Sequence, residues 1–217
     1  MPKTLKIDIF TDVVCPWCLV GIARLDKAVA ALPEDVSVDI ETHPFYLDPN
    51  VPPEGYEVGP MLRQRYGRDP KEMWARVEGE AKKAGIDLDL SKQPRVFRTA
   101  KAHTLVRLAK DHATQHALSN AFAKAYFLDH RPVNEDEVLA DIAAEHGFDR
   151  AEALRLVNDP KELAITERLA RDAAEQGIQG VPFFVFGQKY AMSGAQPQEV
   201  FTMALEKTLS DPGIRLD

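Results

Sequence analysis

Cysteine is scarce in this chain, which has only two among its 217 residues, both within the tetrapeptide Cys15-Pro16-Trp17-Cys18. A scaffold held by several disulfides needs at least four cysteines and is excluded. A structural zinc site needs four ligands, and the six histidines show none of the close spacing that would complete such a set. We therefore predict that the protein has no metal site.

Long apolar runs are also missing. Nowhere do about 18 consecutive apolar residues occur, so we predict no membrane-spanning helix. The N-terminal segment MPKTLKIDIFTD has no apolar stretch of the kind that follows positive charge in a signal peptide. We therefore expect a cytoplasmic protein. In a reducing compartment, a cysteine pair is more often catalytic or metal-binding than structural.

The chain also lacks an excess of positive charge. Lysine and arginine total 27 against 34 aspartates and glutamates, a formal net charge of −7. Binding to nucleic acid needs a clustered cationic face, so nucleic-acid partners are excluded. Hydrophobic residues make up 45% of the chain, which is enough for the packed core of one large domain or of a domain with an insertion.

The chain opens with the pattern of a strand, a helix and a second strand. Leu5, Ile7 and Ile9 alternate with polar residues, as in a strand that leads into the cysteines. Pro16 is well suited to the first position of a helix, which the apolar spacing extends over residues 16–31. Alternation from residue 36 to 40 predicts the second strand. Strands joined through a helix pair in parallel, and Cys15 then lies at the helix N-terminus.

The middle of the chain has a different pattern. A loop rich in proline and glycine covers residues 49–60, and residues 61–176 are helical almost throughout. Asn134, Asp149 and Asp159 are predicted N-caps of three of these helices.

The end of the chain returns to strands. Phe183 to Phe186 is a short apolar run typical of a buried strand, and Gly187-Gln188 is a turn that leads into an antiparallel partner. A closing helix follows Pro197. We therefore predict an α/β fold with a discontinuous domain, residues 1–55 and 177–217, and an all-helical insertion over residues 56–176. We call the first part the frame and the second the insertion.

The tetrapeptide, hereafter the CPWC motif, predicts thiol–disulfide exchange. Unpaired N–H groups and the helix dipole favour a thiolate at Cys15, which makes it the nucleophile. Cys18, one turn inside, is placed to attack a mixed disulfide and release the product. A purely structural bridge is disfavoured, because closing a four-residue loop stabilises by only about 2 kcal/mol on the chain-entropy model.

Three segments together resemble the DsbA family of thioredoxin-like proteins, most closely its FrnE-like cytosolic branch. They are the CPWC motif, the run Gly180-Val181-Pro182-Phe183-Phe184, and Ser193-Gly194-Ala195-Gln196. The resemblance implies a thioredoxin-like fold with a large helical insertion before the Val-Pro loop. It also implies that Pro182 is cis and faces the cysteines, and that Val181 offers backbone groups to an extended substrate. Pro16 and Trp17 complete the predicted substrate-binding set.

The predicted substrates are proteins or small molecules that carry disulfides or thiols, and the activity includes disulfide isomerisation as an option. No metal or prosthetic group is needed, and glutathione is expected only as a redox partner. Whether the pair oxidises or reduces depends on its reduction potential against the compartment. The alternative enzyme class is a kappa-class glutathione transferase or a hydroxychromene-carboxylate isomerase, and a third class is a binding module with vestigial thiols. An intact dithiol favours redox work over both.

Four polar residues have two interpretations each. His43 and His103 are either bases near the thiols or histidines satisfied within the fold. Asp8 and Asp12 flank the first strand, and either would accept a proton from a thiol if it were buried nearby. Phe122, Tyr126 and Phe127 have helical spacing and belong either to the core or to an apolar substrate groove.

Overall fold

The structure is a computed structural model that describes residues 3–214 and 216. Six strands and nine helices are described, together with 3-10 turns at Leu90–Lys92 and Ala109–His112. In this part of the chain, no helix is both long and apolar enough to cross a membrane. In chain order the elements are β1 (Lys3–Thr11), α1 (Pro16–Ala30), β2 (Val36–Pro44), β3 (Tyr56–Glu57), α2 (Val58–Tyr66), α3 (Pro70–Lys83), β4 (Arg95–Val96), α4 (Ala100–Leu108), α5 (Gln115–Phe127), α6 (Asp136–Ala144), α7 (Arg150–Leu156), α8 (Pro160–Glu175), β5 (Phe183–Phe186), β6 (Tyr190–Ser193) and α9 (Gln198–Ser210).

A four-stranded sheet in the order β2-β1-β5-β6 forms the centre of the frame. β1 pairs in parallel with β2, as the βαβ pattern predicts, and it also pairs antiparallel with β5. β5 and β6 form a hairpin whose turn residues Gly187 and Gln188 both have φ of 56°, the left-handed conformation that favours tight hairpins. The predicted α/β fold is therefore confirmed.

The core of the frame lies between the sheet and two helices. Leu5, Ile7 and Ile9 are fully buried on one face of β1 and pack with residues of α1, β5 and α9. Phe201 and Leu205 of α9 join this core. Val200, one residue earlier in the first turn of α9, is 36% exposed.

The insertion is mainly helical and shares a core with the frame. Val13, Val14, Leu19 and Val20, around the CPWC motif, belong to the same buried cluster as apolar residues of α3 to α7. The first turns of α1 are therefore packed against the insertion, whereas the later turns face the sheet. Burial of this apolar surface holds the cysteines between the two parts.

Two details of the insertion differ from the prediction. The insertion is not entirely helical, since β3 and β4 form a two-residue antiparallel ribbon. Pro94 interrupts the helices there, and its carbonyl accepts a hydrogen bond from the Val58 amide at 2.8 Å. The predicted cap at Asn134 is wrong, because Glu135 closes a turn onto Pro132 and α6 begins one residue later.

Other predicted helix ends are confirmed. The Asp149 side chain accepts a hydrogen bond from the Glu152 amide at the start of α7. The Asp159 side chain accepts one from the Lys161 amide at the start of α8, where Pro160 is the first helical residue. Short polar side chains at these positions satisfy amides that the helix leaves unpaired.

Candidate active site

Cys15 is the residue that precedes α1 and has an extended backbone, with φ of −94° and ψ of 111°. Its carbonyl accepts hydrogen bonds from the amides of Cys18 and Leu19 at 3.0 and 3.3 Å, which start the helix. Among the described residues, no side chain caps this end of α1, and its first turn contains no acidic residue. The positive end of the helix dipole is therefore directed at the Cys15 sulfur.

Both cysteines are free thiols and both are buried, with 2% of Cys15 and 1% of Cys18 exposed. Burial raises the pKa of the Cys18 thiol well above its ordinary value, and the neighbouring Cys15 raises it further. Cys18 is therefore protonated at neutral pH in the reduced protein. Although both thiols are buried, Cys15 lines a cavity that Cys18 does not line.

The Val-Pro loop lies against Cys15. The Val181–Pro182 peptide bond is cis, and the Val181 carbonyl accepts a hydrogen bond from the Cys15 thiol at 3.7 Å. The Pro182 carbonyl accepts one from the Gly194 amide at 2.8 Å, which anchors the loop to the segment after β6. The fold therefore brings together residues that are 166 positions apart in the sequence.

Gly21 of α1 allows this close approach. A Cβ atom at this position would lie 2.9 Å from Cγ of Pro182 and 3.3 Å from Cζ of Phe184. Contacts this short are repulsive, so α1 can pack onto the loop only because residue 21 has no side chain.

Trp17 contacts both the site and the insertion. It lines the cavity next to Cys15, and it is half-buried against the apolar core of the insertion. The guanidinium of Arg76 lies 5.7 Å from the centre of the Trp17 ring, a cation–π contact.

A cavity of about 490 Å³ adjoins Cys15 and is bounded by the CPWC motif, Val181 and the insertion. Tyr126 and Phe127 line it, whereas Phe122 is fully buried in the core. Sequence reasoning missed most of the remaining wall. The sequence signal that could have indicated this wall is the presence of large apolar side chains in α2 and α3, two helices that are otherwise polar. The missed residues include Tyr56, Met61, Leu62, Tyr66, Met73 and Trp74.

Asp12 and His103 form a buried pair next to the motif. Asp12 is 2% exposed, and its carboxylate lies 3.2 Å from Nε2 of His103, which is 1% exposed. The other carboxylate oxygen accepts a hydrogen bond from the Leu47 amide at 2.8 Å, and the Asp12 carbonyl accepts one from the Cys15 amide at 3.0 Å. His103 is thus a satisfied core histidine that supports the loop before Cys15.

His43 lies in a separate cluster on the sheet. Its Nε2 is 2.7 Å from the Asp8 carboxylate, and its ring stacks on Phe10. Asp8, Glu41 and His43 have ligand atoms within 4.8 Å of one another. The ammonium groups of Lys6 and Lys110 lie 2.9 and 2.6 Å from Glu41, so cations of the protein itself already neutralise this cluster.

The sheet, the CPWC motif at the start of α1 and the facing cis-proline loop define a thioredoxin-like protein. Residues 6–206 match the family described as the DSBA-like thioredoxin domain. A probable DsbA oxidoreductase from Streptomyces coelicolor is 34% identical and has a TM-score of 0.86, over 98% of this chain and 94% of that one. The chain belongs to the DSBA-like thioredoxin family of thiol–disulfide oxidoreductases.

Two more distant structures share the fold. The cytosolic disulfide reductase DsbM from Pseudomonas aeruginosa, solved with GSH, is 21% identical with a TM-score of 0.66, over 94% of this chain and 98% of that one. A 2-hydroxychromene-2-carboxylate isomerase is 16% identical with a TM-score of 0.72, over 94% and 96% of the two chains. At these identities, the likeness concerns the fold alone.

Proposed function

We propose that this protein is a cytoplasmic thiol–disulfide oxidoreductase of the FrnE-like branch, with Cys15 as nucleophile and Cys18 as resolving thiol. The observation that carries the proposal is the position of the Cys15 thiol. It lies at the uncapped start of α1, contacts the Val181 carbonyl and opens to the cavity. A thiolate at this position is stabilised by the helix and has room for a substrate sulfur.

The reaction proceeds by two exchanges. The Cys15 thiolate attacks one sulfur of the substrate disulfide, so a Cys15–substrate bond forms while the substrate S–S bond breaks, and the departing thiolate takes a proton from solvent. Cys18 then loses its proton to solvent and attacks Cys15. The second substrate thiolate leaves, and a Cys15–Cys18 disulfide remains. The substrate gains two electrons, which the dithiol loses, and the reverse sequence oxidises a dithiol.

Substrate binding relies on backbone groups of the Val-Pro loop. Val181 offers its backbone to an extended segment next to the reacting sulfur, while Pro16 and Trp17 form the surface on the other side. The chemistry needs no metal or prosthetic group, and glutathione serves as a redox partner. The same mixed disulfide at Cys15 allows isomerisation when a second substrate thiol attacks it before Cys18 does.

Single serine variants of the two cysteines test the assignment. We expect Cys15→Ser to abolish insulin reduction, because no nucleophile remains at the start of α1. We expect Cys18→Ser to accumulate mixed disulfides through Cys15, visible by mass spectrometry as an adduct that dithiothreitol removes. Equal activity of wild type and Cys15→Ser would disprove the proposal.

The cavity beside the helix N-terminus also has room for a small second substrate, which favours the glutathione transferase or isomerase class as the alternative. Such an enzyme binds reduced glutathione without covalent change. Titration of reduced glutathione into the Cys15→Ser, Cys18→Ser double variant by calorimetry separates the two classes. Saturable micromolar binding, together with conjugation activity of the wild type, would support the alternative.

A further inference from the structure

The cavity beside Cys15 has aromatic and thioether walls. Tyr56, Tyr66 and Trp74 line it, together with Met61 and Met73. Aromatic rings pack favourably against other aromatic rings and against methionine sulfur, beyond the burial of apolar area alone. These walls therefore favour a flat aromatic group over an aliphatic one.

The dimensions of the cavity suit a small molecule. Its volume of about 490 Å³ lies within the range of about 300–1,000 Å³ that is typical of small-ligand pockets. α2 borders it with Met61 and Tyr66, yet α2 has no buried residue, and 52% of Tyr66 is exposed. Val58 is half-buried against the apolar core, but no residue of α2 is fully buried, so the helix is weakly held and leaves the cavity accessible to a ligand.

Two arginines give the cavity a positive rim. Arg68 and Arg76 line it, and within the described residues neither forms an ion pair. The arginines of α1, α4 and α7, in contrast, are all paired with carboxylates. Glu72 is the one carboxylate among the lining residues, so the rim has a net charge of +1. This local excess contrasts with the net charge of −7 for the whole chain. Unpaired guanidinium groups next to aromatic walls are suited to bind a carboxylate.

We propose that this cavity selects small disulfides in which an aromatic group with a carboxylate adjoins the reacting sulfur. The inference rests on the proposed function, since the bound sulfur must react with Cys15. The aromatic group lies between Trp17 and Trp74, and its carboxylate meets Arg68 and Arg76. The Cys15 thiolate attacks, an aryl thiolate leaves, and Cys18 then releases the second aryl thiolate, so that one disulfide yields two thiols and one Cys15–Cys18 disulfide.

Three disulfides test this selectivity in single-turnover reactions with the reduced protein. Dithiobis(2-nitrobenzoate) is aromatic and anionic, 4,4′-dithiodipyridine is aromatic and neutral, and hydroxyethyl disulfide is aliphatic and neutral. Each rate constant is divided by that of free mercaptoethanol at the same pH, which removes the intrinsic reactivity of the disulfide. We expect the normalised rate for the anionic aromatic compound to exceed that for the aliphatic one at least tenfold.

Substitutions in the cavity test which of its residues produce the selectivity for anionic and for aromatic disulfides. The Arg68→Gln, Arg76→Gln double variant should reduce the preference for the anionic over the neutral aromatic compound about fivefold, and high salt should do the same to the wild type. Trp74→Ala should reduce the preference for aromatic over aliphatic compounds by a similar factor. Arg168→Gln, at an exposed position of α8 outside the cavity, is the matched control and should retain both preferences.

The outcomes separate this inference from the proposed function. If reduced wild-type protein fails to exchange with all three disulfides, the proposed function is wrong. If it exchanges with all three at equal normalised rates, the function stands and the selectivity is contradicted. A peptide disulfide without aromatic or acidic residues that reacts as fast as the anionic aromatic compound would likewise contradict it and favour an extended chain as the occupant. Both arginines are exposed, so their replacement leaves folding intact and the comparison valid.

Discussion

The two cysteines of the motif differ in surroundings more than in exposure. Both are buried, but Cys15 lies at the helix N-terminus and opens to the cavity, whereas Cys18 is enclosed by the core. Enclosure keeps Cys18 protonated and raises its pKa. This asymmetry suits a two-step exchange, because the resolving thiol stays inactive until a mixed disulfide has formed at Cys15.

The raised pKa of Cys18 predicts a loss of stability at alkaline pH. Above about pH 8.5, the ordinary value of a thiol, the unfolded chain loses this proton while the folded chain keeps it. The unfolded state then binds fewer protons, so the free energy of unfolding falls as pH rises above this value. Below pH 8 the contribution is constant.

Urea unfolding of the reduced protein across this pH range measures the effect. Cys18→Ala is the control, since it retains every other titrating group. We expect the wild type to lose more stability than Cys18→Ala on going from pH 8 to 10. Parallel losses in the two proteins would show that Cys18 ionises normally in the folded state.

At the scale of elements, α1 organises the site through its contacts with three other segments. Arg24 is buried and donates hydrogen bonds to the carbonyls of Ala195 and Gln196 at 2.8 and 3.1 Å, and to the Glu80 carboxylate at 2.5 Å. It thereby ties α1 to the segment before α9 and to α3. Gly21 supplies the third contact, with the Val-Pro loop.

Two glycine-to-alanine substitutions in helices should therefore have opposite effects. Alanine is favoured over glycine in a helix by about 1 kcal/mol, and at Gly79 of α3 a Cβ meets nothing within 4 Å. Gly79→Ala should raise the free energy of unfolding by about 0.5–1 kcal/mol. Gly21→Ala should lower it by about 1–3 kcal/mol, because the new Cβ pushes against Pro182.

Thermal or urea unfolding measures both variants, and the disulfide exchange rate gives a second measurement. Gly21→Ala should also slow exchange, since displacement of Pro182 moves Val181 relative to Cys15. A stabilised Gly21→Ala protein with normal exchange would show that α1 and the loop are not in tight contact.

The sequence predicted those helices and strands whose ends depend on neighbouring residues alone. The strand at Phe183–Phe186 was predicted at its observed bounds, and Asp159 capped its helix as expected. Asn134 failed as a cap because a turn beginning at Pro132 competes for this segment. The two-residue ribbon of β3 and β4 is too short to show a periodic pattern, so the sequence contained no signal for it.

At the scale of the whole molecule, the site is assembled from distant segments. The CPWC motif, the Val-Pro loop and the helices of the insertion meet only in the folded chain. The sequence contained the motif and the loop, but the cavity depends on packing between segments that no local pattern relates. The division into frame and insertion stays a prediction, and their shared core indicates that they fold as one unit.

Equilibration of the protein in glutathione buffers of graded ratio tests the central claim most directly. The Cys15–Cys18 disulfide is quantified by mass spectrometry after acid quenching and alkylation. The account predicts one reversible two-electron transition, in which a tenfold change in equilibrium constant corresponds to about 30 mV and the glutathione adduct at Cys15 stays a minor species. Absence of any transition, or a stable glutathione adduct in place of the Cys15–Cys18 disulfide, would contradict it.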